Sequence, residues 1–149
     1  MSEVSRTTRV GDVGEHVLIA EITRRLGQGQ SALVGIGDDA AVIRLSEPSV
    51  AVSTDVLVQD RHFRLSWSTA ADIGHRVAGA NLADVAAMGA MPTCLVVGLV
   101  LPPDTEVGWV LDFLDGLAAE CEGIGASVVG GDLASGDTIM ISATALGDL

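Results

Sequence analysis

VAVSTDVLV, residues 50–58, carries β-branched residues at a period of two and reads as a strand. Ser53 and Asp55 then share one face, with Val52, Val56 and Val58 on the other. An aspartate inside a strand is disfavoured by propensity, so Asp55 asks for a reason. It is either a gatekeeper on an edge strand or a ligand presented from one.

Upstream, SEPS turns the chain, and AAVIRL before it reads as a short strand forming a hairpin with residues 50–58. GIGDDAAV, residues 35–42, is a glycine loop in which Asp38 and Asp39 stand side by side. Further upstream, Val17, Leu18, Ile22 and Leu26 recur at helical spacing, Asp12 and Glu15 suggest a capping box, and Gly27 or Gly29 stops the helix. Residues 1–13 read as a flexible N-terminal tail.

Downstream, Arg61 to Ser68 is a connector holding His62, Phe63 and Trp67. Ser68 or Thr69 caps a helix running to about Met88, ended by Gly89 and Pro92. TCLVVGLVL is a strand, and Asp104-Thr105 begins a second long helix that runs to about Gly123. Its apolar face includes Trp109, Leu111, Phe113, Leu114, Leu117 and Ala118. ASVVGGD reads as a strand followed by a glycine loop, and TIMISATALGDL as a last strand. The predicted class is α+β, a mixed or antiparallel sheet with helices packed on one face. The chain halts after a strand, which reads as a cut at a domain boundary.

The 149 residues suffice for one domain with a sizeable core, and 48% apolar against 19% charged is a globular composition. Twenty acids face eight arginines and no lysine, a net charge of −12. That balance argues against nucleic acid or an anionic membrane as partner, and it favours metal cations or a solvated acidic exterior. Cys94 and Cys121 lack metal-site spacing and read as buried small hydrophobes. With no secretory leader and no apolar run long enough to span a bilayer, the expected location is the cytoplasm.

The absence of lysine closes the Walker route to phosphate, and aspartates in GIGDD would repel a pyrophosphate from a dinucleotide loop. A nucleotide can still bind through Mg²⁺, which is held by a few hard carboxylate oxygens and bridges to phosphate. Asp38, Asp39, Asp55, Asp84 and Asp132 supply such oxygens. Asp84 is the only charge in GANLADVAAMGA, with Asn81 one turn earlier, and is expected to be buried. A buried carboxylate needs hydrogen bonds, a cation or a proton. Asp39 as a turn former and Asp132 as a loop residue are the plainer alternatives.

GIGDDAAV, STDVLVQDRHF, NLADVAAMGA and VVGGDL, in this order and spacing, resemble thiamine-monophosphate kinase, of the aminoimidazole-ribonucleotide synthetase superfamily. GEHVLIAEI is similar to the family's first helix, and the resemblance covers residues 14–149, the family's N-terminal domain. It implies transfer of the γ-phosphate of ATP to thiamine monophosphate, assisted by several Mg²⁺ ions. It implies metal ligation by Asp38 or Asp39, by Ser53, Thr54 and Asp55, by Asp84 and by Asp132, with Gly131 and Asp132 at the nucleotide and His62 near the thiamine phosphate.

The resemblance further implies a homodimer in which strands of two copies close a barrel, with the nucleotide near the interface. Leu133 stands where relatives often carry threonine, losing a hydroxyl. The family's C-terminal domain is not in this sequence, so the isolated chain is expected to be inactive or weakly active. Selenophosphate synthetase normally carries a reactive cysteine in an N-terminal loop, and no cysteine precedes Cys94 here. Hydrogenase-maturation dehydratase, aminoimidazole-ribonucleotide synthetase and a non-catalytic dimerisation or Mg-nucleotide module are the other readings.

Overall fold

The computed structural model describes residues 4–37 and 40–149, and Asp38 and Asp39 lie outside the described residues. In chain order the elements are α1 (Glu15–Leu26), β1 (Ala32–Val34), β2 (Val42–Ile43), β3 (Val50–Val58), α2 (Ala70–Ala87), β4 (Met91–Leu101), α3 (Val107–Glu122), β5 (Ser127–Ser135) and β6 (Met140–Asp148). The architecture is mixed α+β with three α-helices, as the residue patterns predict.

The main sheet has the order β3-β6-β4-β5. β6 is antiparallel to both neighbours, whereas β4 and β5 run parallel, joined by α3 as their crossover. Along β6, residues 141, 143, 145 and 147 are buried and their neighbours half-buried. The buried face carries Leu57, Leu95, Val97, Leu99, Ile141 and Ala145 against Ile73, Val77, Val85, Phe113 and Leu117 of the helices. The opposite face carries Val52, 59% exposed, and Val56.

The predicted hairpin between AAVIRL and residues 50–58 does not form. β2 pairs instead with β1, a short strand that the residue pattern does not reveal, and β3 pairs over its full length with β6. Nine register pairs with a remote strand outweigh what the short β2 can offer its neighbour. β5 also runs on through Gly130, Gly131 and Asp132 instead of opening into a loop. It does so by a bulge: Val128 pairs with Leu95 and Gly130 with Val96, leaving Val129 unpaired. A Cβ on Gly131 would sit 2.0 Å from the Val97 carbonyl oxygen, so the strand passes here only as glycine.

α2 begins on a complete capping box, Thr69 and Asp72 each bonding the other's backbone N–H. α1 begins instead on Gly14 with no side-chain cap, and Asp12 closes a short 3-10 turn before it. Gly27, at φ 69°, ends α1. Residues 4–13 lie in the stretch expected as a flexible tail. Part of it is tied to the start of α3: Val107 N–H donates to Thr8, Gly108 N–H to Arg6 and Val10 N–H to Thr105. Arg6 also pairs with Asp112. Leu18 of α1 packs on Val107 and Leu111, which holds α1 beside α3 and the end of β5.

Candidate functional site

β3 and α2 bring the first acids together. Ser53 and Asp55 face the helix layer, as their period of two predicts, and Ser53 Oγ donates to Asp84 Oδ2 at 3.3 Å. Asp55 Oδ1 accepts the Val56 N–H at 3.1 Å. Asp84 is exposed, not buried as expected. It falls on the flank of a stripe whose fully buried polar member is Asn81, one turn earlier. Asn81 Nδ2 donates to the Val77 carbonyl at 2.8 Å, and its Oδ1 has no partner among the described residues. Thr54 points to the opposite face, where its hydroxyl bonds Thr144 Oγ1 at 2.9 Å, so its side chain does not join Ser53 and Asp55.

His62 sits just beyond β3. Its Nδ1 accepts the Val58 N–H at 3.0 Å, which leaves Nε2 as the protonated nitrogen of the neutral ring. Arg76 of α2 donates to the His62 carbonyl, and buried Phe63 anchors the turn. Arg64 lies 4.5 Å over the Trp67 ring, which is 75% exposed. This connector therefore presents an imidazole N–H and an arginine–tryptophan pair at the end of the strand that carries Asp55.

Asp132 is elsewhere. The register places Asp55, Ala143, Val97 and Gly131 in one row across the sheet, so Asp132 lies in the next row on the opposite face. Three strand spacings of about 4.8 Å separate β3 from β5 by roughly 14 Å. Asp132 instead joins Gly35, Gly37, Ala40, Ala41 and Glu15 in lining a cavity beside α1. Among the described residues, no three His, Cys, Asp or Glu side chains gather as a metal site.

Ser53 and Asp84 offer hard oxygen donors in contact with each other, and Asp55 stands two residues from Ser53 on the same strand face; this is the donor type Mg²⁺ takes, so this part of the predicted set fits the ion. Both cysteines are free and buried; burial pushes the Cys121 thiol up to about 12 and raises Cys94 as well. Neither is a nucleophile at neutral pH. No helix of the described residues is long and apolar enough to cross a membrane.

Comparison with known proteins gives this geometry its context. The chain is 44% identical over 137 residues to a thiamine-monophosphate kinase of Mycobacterium tuberculosis H37Rv, covering 92% of this chain and 41% of that protein. A solved structure, AaThiL complexed with AMPPCP and TMP, is 33% identical with a TM-score of 0.65, over 96% of this chain and 44% of that one. Hydrogenase maturation protein HypE in complex with ATP is 25% identical with a TM-score of 0.77, over 95% of this chain and 43% of that one. The chain thus spans less than half the length of these relatives. Residues 37–149 match AIR synthase related protein, N-terminal domain, and the chain belongs to that family.

Proposed function

We propose that this chain is the N-terminal, ATP- and Mg²⁺-binding part of a kinase that phosphorylates thiamine monophosphate to thiamine diphosphate. The observation that carries the reading is the Ser53–Asp84 contact, with Asp55 on the same face: motif residues from β3 and α2 meet as hard oxygen donors. Similarity to thiamine-monophosphate kinases at up to 44% identity supports the acceptor, and the nucleotide-bound relatives support ATP.

In the proposed reaction an acceptor phosphate oxygen bonds to Pγ, the Pγ–O bond to the β-phosphate breaks, and ADP leaves. Donor and acceptor are both anions, and bound Mg²⁺ offsets their charge. Ser53, Thr54, Asp55, Asp84 and Asp132, with Asp38 or Asp39, hold the ions. The Thr54 side chain lies on the other sheet face, so its contribution is through the backbone. Gly131 and Asp132 meet the nucleotide. His62 Nε2–H meets the acceptor phosphate from beyond the end of β3.

Asp55 and Asp84 lie at one sheet edge and Asp132 at the other, so one copy does not collect the set. A second copy supplies the rest. We place the open sheet face at the interface of a cytoplasmic homodimer, strands of two copies closing a barrel, with residues 14–149 as the dimerisation domain.

Calorimetric titration with AMP-PCP tests the reading: binding is expected with Mg²⁺ and lost without it, and equal affinity in its absence would refute it. Turnover of ATP with thiamine monophosphate is expected to be weak or nil for this chain alone. The close shape match to HypE favours a second reading, an ATP-using maturation enzyme, which phosphorylation of thiamine monophosphate by a longer chain containing these residues would exclude.

A further inference from the structure

Asn81 is fully buried in α2, and the proposed reaction gives it no part. Its Nδ2 donates to the Val77 carbonyl, while its Oδ1 is buried with no partner among the described residues. An acceptor shut away from water without a donor lowers stability. A leucine, similar in shape, would fill the same space without that loss.

The contacts on either side of Asn81 fix where it stands. Arg76 meets the His62 carbonyl and Asp84 meets Ser53, so α2 runs back along β3. Asn81 comes about 4.5 Å before Asp84 on the helix. Asp55 comes about 6.6 Å after Ser53 on the strand, so Asn81 and Asp55 are nearly level. Around the helix, Asp84 points to β3, whereas Val85 meets β6 at Gly147, where an added Cβ would collide with its Cγ1. At about 100° per residue, Asn81 falls between those two directions, over the seam of β3 and β6.

The floor of that seam is the register pairs Ser53–Ala145 and Asp55–Ala143. Both alanines are buried and bring no polar side chain. The Ser53 hydroxyl is committed to Asp84, and Asp55 takes the Val56 N–H. Acceptors therefore outnumber donors here among the described residues. A hydrated cation corrects that imbalance: Mg²⁺ keeps several of its waters when protein-bound, and each is a polarised donor. A carboxamide offers such a water an oxygen without adding another charge to the core.

We propose that Asn81 is a positioning residue of the ion site, its Oδ1 accepting a hydrogen bond from the hydration shell of the Mg²⁺ that Ser53, Asp55 and Asp84 hold. The inference rests on the ion site proposed above and adds to it a buried anchor between β3 and α2.

The test follows the Asn81 carboxamide N–H signals of the 149-residue chain by NMR as Mg²⁺ is titrated at constant AMP-PCP. They are expected to shift with the same midpoint as the backbone amides of residues 53, 55 and 84. Asn81→Leu is expected to weaken Mg²⁺ at least tenfold in calorimetry, with a metal-free Tm equal to wild type or higher, because it removes the orphan oxygen. Asn81→Asp keeps an oxygen there and is expected to restore most of the affinity while lowering the metal-free Tm. Still carboxamide signals while residues 53, 55 and 84 respond would overturn the anchor and leave the ion site. So would a folded Asn81→Leu with wild-type Mg²⁺ affinity, or an Asn81→Asp no tighter than Asn81→Leu. No response at residues 53, 55 and 84 would remove the ion site and the anchor with it. If Asn81→Leu does not fold, the wild-type titration decides alone.

Discussion

Ser53 and Asp84 meet across the junction of β3 and α2, and the pair responds differently to loss of charge and loss of shape. Asp84→Asn keeps the shape, so Tm should hold while Mg²⁺-dependent AMP-PCP binding falls by at least tenfold in calorimetry. A lowered Tm with Mg²⁺-dependent binding preserved would make Asp84 structural. The Thr69–Asp72 capping box gives a pH signature. The Thr69 hydroxyl, then its backbone N–H, holds the Asp72 carboxyl below its ordinary value of 3.8. A depressed carboxyl stabilises the fold above its unfolded pKa and loses that contribution as pH falls through the folded one. Urea melts of wild type and Asp72→Asn should therefore differ at pH 7, with the difference shrinking as pH falls below the ordinary carboxyl value of 3.8. The oddness of Asp55 in a strand was legible in the sequence. The exposure of Asp84 was not: a lone charge among alanines looks buried until the helix is set on its sheet, where Asn81 takes the covered position.

At the scale of elements, α2 and α3 touch backbone to backbone. A Cβ on Gly74 would lie 2.1 Å from the Phe113 carbonyl oxygen, and one on Gly116 would lie 2.0 Å from that of Ala71. Neither neighbour is a flexible side-chain tip, so the helices must part. Gly74→Ala or Gly116→Ala should each cost about 3 kcal/mol by overpacking, read as a lower urea midpoint with an unchanged slope. Gly79→Ala, inside α2 where a Cβ would meet only the flexible tip of Glu120 at 3.4 Å, is the control for helix propensity. Long periodic elements were readable because burial imposes their pattern: β3, β4, β6 and all three helices fall where the residues place them. Pairing was not, because β3 takes its partner from residues 140–148 instead of from the adjacent β2. The extension of β5 through two glycines was equally hidden, since what demands glycine at 131 is the Val97 carbonyl of a different strand.

For the molecule as a whole, the register of one sheet sets the terms. Val52, Thr54 and Val56 of β3 share the open face with Ser142, Thr144 and Leu146 of β6, and on the proposed reading a second copy covers them. Val52→Lys should then convert dimer to monomer in light scattering without lowering the helix content. A sharper consequence follows from the edges. If Asp84 of one copy completes a site with Asp132 of the other, Asp84→Asn and Asp132→Asn homodimers each have both sites damaged. In a mixed dimer one site carries both lesions and the other carries neither. Unfolding and refolding the two variants together at equal amounts makes half the dimers mixed, so about one quarter of the wild-type Mg²⁺-dependent AMP-PCP sites should return. Recovery of that fraction, from two proteins that separately bind nothing, requires a site built from both copies. No recovery, with mixed dimers shown to be present, would mean that each chain gathers its acids alone.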